Sequence, residues 1–64
     1  MQRIKAVESA TKELREALAR EGIVLPSLRP DPVSCANEYM LPLVELGRCT
    51  IAVAQRLTEA LGDR

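Results

Sequence analysis

The stretch that decides the fold of this chain reads Ile23-Val24-Leu25-Pro26-Ser27-Leu28-Arg29-Pro30-Asp31-Pro32. Each proline fixes its own backbone angle, removes an N–H donor and restricts the preceding residue to extended conformations. A continuous helix across the stretch is therefore excluded. On either side, apolar residues recur every three or four positions, which is the spacing of one helical face. With only 64 residues, the chain is predicted to be mainly α and to form a single small helical domain over residues 1–64.

The segment before the prolines predicts an amphipathic helix over about residues 3–21. Its apolar face comprises Ile4, Val7, Ala10, Leu14, Ala17 and Leu18. Gly22 then suits the left-handed position beyond a helix end, and Ile23 is placed to pack back on the last turn, as in a Schellman cap.

The segment after the prolines predicts a second amphipathic helix, over about residues 50–61. Thr50 is a suitable N-cap and Gly62 a suitable end. Gly47 would cost about 1 kcal/mol inside a helix, so we expect the helix to begin after it. The residues expected in the core from this half are Leu43, Leu46, Ile51, Leu57 and Leu61.

Two local structures compete for the connection between these helices. Asp31 as N-cap and Pro32 at the first helical position favour a short helix over residues 32–39, ended by Leu41-Pro42. Its inward residues would be Val33, Ala36 and Met40. Alternatively, residues 23–28 pair with residues 43–46 as a short β-hairpin. Periodicity cannot separate a helix from a strand in runs this short.

The composition limits the classes of function. Nine Lys+Arg balance nine Asp+Glu, and the isoelectric point is about 6.2, whereas nucleic-acid modules are usually basic. No apolar run approaches the ~20 residues of a membrane span, and no apolar signal core follows the N-terminus, so a cytoplasmic protein is predicted. Tyr39 is the only aromatic residue. A core built from aliphatic residues alone in so short a chain favours completion by a partner.

Residues suited to catalysis or metal binding are scarce. The chain has no His to act as a general base near neutral pH, and no glycine-rich phosphate loop. Cys35 and Cys49 fall short of the four ligands that zinc prefers. They are expected to be buried free thiols or, alternatively, a disulfide closing a loop of about 15 residues. The sequence thus predicts no enzyme, no cofactor and no small-molecule ligand.

A stripe on the first helix supports an interaction function. The seam consists of Ile4, Val7, Thr11, Leu14 and Leu18. It is either a dimerisation or docking face or the internal core packed on the C-terminal helix, and both alternatives remain open. We expect a small non-enzymatic protein–protein interaction module with a regulatory or accessory role, pairing with itself or with a larger protein. A thiol-based redox sensor using the two cysteines is a further alternative.

The C-terminal part resembles a DNA-binding family. Glu45-Leu46-Gly47-Arg48 and residues 54–62 are similar to the last two helices of lambda-repressor-like helix-turn-helix proteins. The resemblance implies a DNA-binding accessory or transcriptional regulator. Independently of it, Arg29, Arg48 and Arg56 form either a basic face toward DNA phosphates or a solvated surface beside neighbouring acidic residues. The recognition helix of that family would fall where the prolines lie, so no DNA-contacting residue is assigned.

A wider resemblance covers more of the chain. It rests on Leu25-Pro26-Ser27-Leu28, Asp31-Pro32-Val33, Pro42-Leu43-Val44-Glu45-Leu46-Gly47-Arg48-Cys49 and Arg56-Leu57. This pattern resembles small proteins of high-GC actinobacteria such as streptomycetes, and the excess of arginine over lysine, seven to two, fits such a genome. It implies an actinobacterial source, and it implies that the stretch from Leu25-Pro26 to Gly47-Arg48-Cys49 is one structural unit. It implies no activity.

Overall fold

The computed structural model describes residues 2–62, apart from the side chain of Gln2, and in this range it contains three helices and one small antiparallel ladder. Helix α1 spans Gln2–Arg20, strand β1 Arg29–Pro30, helix α2 Pro32–Ala36, strand β2 Val44–Glu45 and helix α3 Ile51–Gly62. The predicted mainly α fold is confirmed. Both long helices begin and end within one residue of the predicted bounds.

The end of α1 is the predicted Schellman cap. Gly22 has a φ of 73°, in the left-handed region. The N–H of Ile23 donates to the carbonyl of Leu18 at 2.9 Å, and that of Gly22 to the carbonyl of Ala19 at 3.0 Å. The side chain of Ile23 is buried against Leu18. The cap therefore directs the chain back onto α1.

The ladder and the short helix, expected as alternatives, are both present. Arg29 pairs with Glu45 and Pro30 with Val44, and the N–H of Asp31 donates to the carbonyl of Leu43 at 2.8 Å. The predicted first strand, residues 23–28, is wrong. Part of that segment is a turn, in which the N–H of Leu28 donates to the carbonyl of Leu25 at 3.1 Å across Pro26, so the pairing begins only after it.

Helix α2 begins as predicted and ends early. The N–H of Ser34 donates to Oδ2 of Asp31 at 3.0 Å, and Pro32 occupies the first turn. The helix stops at Ala36, because Asn37 already has an extended backbone with φ −104° and ψ 110°.

The prediction that Val33, Ala36 and Met40 face inward is wrong. All three are exposed, and the buried residue of α2 is Ser34. Its hydroxyl donates to the carbonyl of Asp31 at 3.2 Å and accepts from the N–H of Leu43 at 2.9 Å. The inner side of α2 faces main-chain polar groups, which require a hydrogen-bonding side chain rather than an aliphatic one.

The core lies where α1, the loop of residues 21–28 and α3 meet. Leu18, Ile23 and Leu28 form its buried cluster, and partly buried apolar residues pack around it: Leu14, Leu25, Val44, Val53, Leu57 and Ala60. Leu57 thus packs against the core as expected. The other four residues expected there are exposed, namely Leu43, Leu46, Ile51 and Leu61.

A change of backbone conformation explains that error. Residues 43–46 are not helical and contain strand β2, so they do not continue the helical period of α3, and Val44 is the residue that packs against the cluster. Gly47 follows with a φ of 77°. A Cβ at Gly47 would overlap with Cβ of Ser27, so the close approach of these two segments also requires glycine.

Candidate interaction surface

Helix α3 is attached to the rest of the chain along one side only. Its start is capped by Oγ1 of Thr50, which accepts from the N–H of Val53 at 3.2 Å as predicted. On the attached side, Val53, Leu57 and Ala60 pack against the core. Nη1 of Arg56 donates to the carbonyl of Gly22 at 2.9 Å and so ties α3 to the cap of α1. No residue of α3 is fully buried in the described structure.

The face of α3 next to the attached side carries a second apolar row. Ile51, Ala54, Thr58 and Leu61 are spaced by three, four and three residues, which places them in one row along the helix; we call this row the α3 ridge. Ile51 is 80% exposed and Leu61 76% exposed. Oγ1 of Thr58 donates to the carbonyl of Ala54 at 3.1 Å, so its hydroxyl is already satisfied within the helix. Sequence analysis missed the ridge because it placed Ile51 and Leu61 in the core.

Further apolar recesses lie outside the α3 ridge, and two of them contain strongly exposed side chains. One is a shallow groove along α2, lined by Pro32, Val33, Ala36, Asn37, Glu38 and Tyr39. The other is a recess at the start of α3, lined by Val24, Pro26, Arg48, Cys49, Thr50 and Val53. Exposed apolar side chains occur singly on most proteins, and only contiguous apolar patches larger than a few hundred Å² mark contact surfaces.

The predicted stripe on α1 lies largely inside the chain's own fold. Val7, Thr11 and Leu18 are buried, and Ile4 and Leu14 are half-buried. Oγ1 of Thr11 donates to the carbonyl of Val7 at 2.7 Å, which leaves its methyl group for packing. In this conformation the three buried residues are not offered to another chain. A role for the stripe in association stays a prediction.

Both cysteines are free thiols in this structure. Cys35 is half-buried, and its carbonyl accepts from Arg3. Cys49 is exposed, so the expectation of a buried thiol is wrong at this position. Its side chain lines the recess at the start of α3 rather than packing into the core.

Most of the expected basic face is engaged within the chain. Arg29 forms an ion pair with Glu45 at 3.2 Å, and Arg56 donates to the carbonyl of Gly22. Arg48 lies beside the recess at the start of α3. Two of the three guanidinium groups thus already have acceptors, which lowers their attraction for phosphates.

The buried side-chain hydroxyls form hydrogen bonds with the backbone. Among the described residues, no buried side-chain N or O atom lacks a hydrogen-bond partner. The buried hydroxyls of Thr11 and Ser34 both bond to main-chain groups of the chain itself.

Within residues 2–62, no three His, Cys, Asp or Glu side chains come together in a way that could hold a metal ion. Of the helices in this range, none has the length and apolar content to cross a bilayer.

The comparisons with known proteins provide no family and no neighbour: no family model matches the chain, and no curated protein or solved structure shows significant similarity to it. The functional interpretation therefore depends on the geometry of the chain itself.

Proposed function

We propose that this protein is a small non-enzymatic association module and that its partner is a second copy of the same chain. The observation that carries the proposal is the two-sided apolar character of α3. One face packs on the core through Val53, Leu57 and Ala60, and the neighbouring face presents the α3 ridge to solvent. A helix with an apolar arc wider than its own domain covers is typical of an interface.

The charge distribution supports self-association. The chain carries nine basic and nine acidic residues, so two copies do not repel each other at long range. The α3 ridge itself contains no charged residue. A nucleic-acid partner would instead be favoured by a basic surface, whereas Arg29 and Arg56 are engaged with Glu45 and with the carbonyl of Gly22.

The experiment is the solution mass by light scattering on a sizing column, over a range of concentrations and with and without a reductant. We expect twice the 7.1 kDa of one chain at high concentration in both conditions. Because apolar burial is not screened by ions, the dimer should persist in about 1 M salt. A monomer at every concentration would contradict the proposal. A dimer seen only without reductant would favour association through a cysteine.

A further inference from the structure

We infer that two copies pair through the α3 ridge, with the two helices antiparallel around a two-fold axis at the level of Arg56. The inference rests on the proposed self-association and adds the surface and the register. It concerns only the row formed by Ile51, Ala54, Thr58 and Leu61, which the core does not use.

The ridge is self-complementary about its midpoint. Ile51 lies five residues before Arg56 and Leu61 five residues after it; Ala54 lies two before and Thr58 two after. A two-fold axis at this level places Ile51 opposite Leu61 of the second copy and Ala54 opposite Thr58 of the second copy. Each contact then occurs twice, as an isologous interface requires.

The sizes of the side chains fit this register. The small residues Ala54 and Thr58 meet at the centre, where the helices must approach most closely, and the distance between packed helices is set by the side chains at the contact. The large residues Ile51 and Leu61 meet at both ends, where each covers a side chain that is at least three-quarters exposed in the single chain.

The polar groups near the ridge are also compatible with burial in an antiparallel interface. The hydroxyl of Thr58 keeps its bond to the carbonyl of Ala54, so burial at the interface leaves no unsatisfied hydroxyl. Arg56 is directed to the carbonyl of Gly22 in its own chain. Antiparallel helices also place opposite dipole ends side by side.

A charge-swap series tests the surface and the register together. Ile51→Glu and Leu61→Lys are compared singly and combined, with Val33→Glu as control, since Val33 is 68% exposed and lies on α2. Glu in the first turn of α3 and Lys in its last turn both suit the helix dipole, so the single chain should keep its helical content in circular dichroism. Each single variant should have half the wild-type mass, and the control should remain dimeric.

The combined variant distinguishes the antiparallel register from any other. Across the proposed axis each introduced Glu faces an introduced Lys, so Ile51→Glu with Leu61→Lys should regain the dimer mass, and about 1 M salt should dissociate it again. In a parallel pair like charges would face each other. A combined variant as monomeric as the single variants would overturn the register. A dimer that survives Ile51→Glu would overturn the ridge and leave the proposed function standing, whereas a monomeric wild type would overturn both.

Discussion

The guanidinium of Arg3 donates to the main-chain carbonyl of Met40 at 2.6 Å, across 37 positions of sequence. The same group also donates to the carbonyls of Cys35, Ser34 and Asn37 at 3.0–3.2 Å. One side chain in the first turn of α1 thus holds the end of α2 and the turn that follows it. A cation beside the carbonyls at the C-terminal end of a helix is stabilising, because these carbonyls have no partner within the helix.

Arg3→Ala should therefore destabilise the fold by about 1–2 kcal/mol, since charge-assisted hydrogen bonds are worth more than neutral ones and this group is half-buried. Arg3→Lys should recover only part of the loss, because an ammonium group lacks the planar fork that reaches several carbonyls. Urea unfolding followed by circular dichroism measures both. Lys12→Ala, at an exposed position in the middle of the same helix, is the control and should change little. Equal stabilities for the Arg3 and Lys12 variants would contradict this role.

Ser34→Ala should cost about 1–3 kcal/mol, because it leaves the N–H of Leu43 without its acceptor next to a fully buried position. Hydrogen exchange provides a local test: the amide of Leu43 should lose protection more than amides within α3. Ser9→Ala removes a hydroxyl from an exposed position in α1 and is the matched control. An unchanged Leu43 amide would show that the hydroxyl of Ser34 does not hold it.

The three glycines should respond differently to replacement by alanine. Gly62→Ala should be neutral or stabilising, since the nearest atom to its added Cβ is Cγ2 of Thr58 at 3.8 Å. Gly22→Ala should cost about 1–2 kcal/mol, because alanine is strained in the left-handed backbone conformation of this position. No steric cost is added, since the new Cβ would lie 3.5 Å from Nη1 of Arg56, an ordinary van der Waals contact. Gly47→Ala should cost more than either, because its Cβ also overlaps with Ser27.

A double-mutant cycle isolates the steric part at Gly47. Ser27→Gly removes the Cβ in the way, so it should be less destabilising, or even favourable, when combined with Gly47→Ala than in the wild-type chain. Thermal unfolding of the four proteins in the cycle gives the coupling. Strict additivity would mean that the two segments do not approach as closely as described.

The core assignment is tested by a pair of leucines. Leu28 is 4% exposed and Leu41 is 82% exposed. Leu28→Ala should lose about 2–4 kcal/mol, which approaches the whole stability of a domain this small. Leu41→Ala should stay within about 0.5 kcal/mol of the wild type. Chemical denaturation of both variants decides between this core and one that includes the loop before β2.

Signals carried by neighbouring residues were readable from the sequence. Asp31 with Pro32, Gly22 with Ile23, and Thr50 each mark a helix end through a bond to a group a few residues away, and all three caps are present. The chemistry of such caps is local, so tertiary packing does not have to be known.

Burial was harder to predict because it depends on distant parts of the chain. The helical spacing of apolar residues continues from Leu43 and Leu46 into α3, and it therefore predicts that both leucines are buried. In the structure the left-handed Gly47 separates the segment that contains β2 from α3, and neither leucine enters the core. The burial of Ser34 required knowing that the main chain of Leu43 lies beside it. The contacts of Arg3 likewise join positions with no local signal in common.

Three of the arginines that join separate parts of this fold donate hydrogen bonds to the peptide backbone. Arg3, Arg15 and Arg56 all donate to main-chain carbonyls, those of the α2 region, of Leu28 and of Gly22. A carbonyl is present whatever side chain its residue carries. Exposed residues such as Asn37 and Met40 can therefore be substituted during evolution without loss of these hydrogen bonds, provided that the backbone conformation is kept. Homologues of this protein are then expected to preserve the arginines and the left-handed glycines while the loops between them diverge.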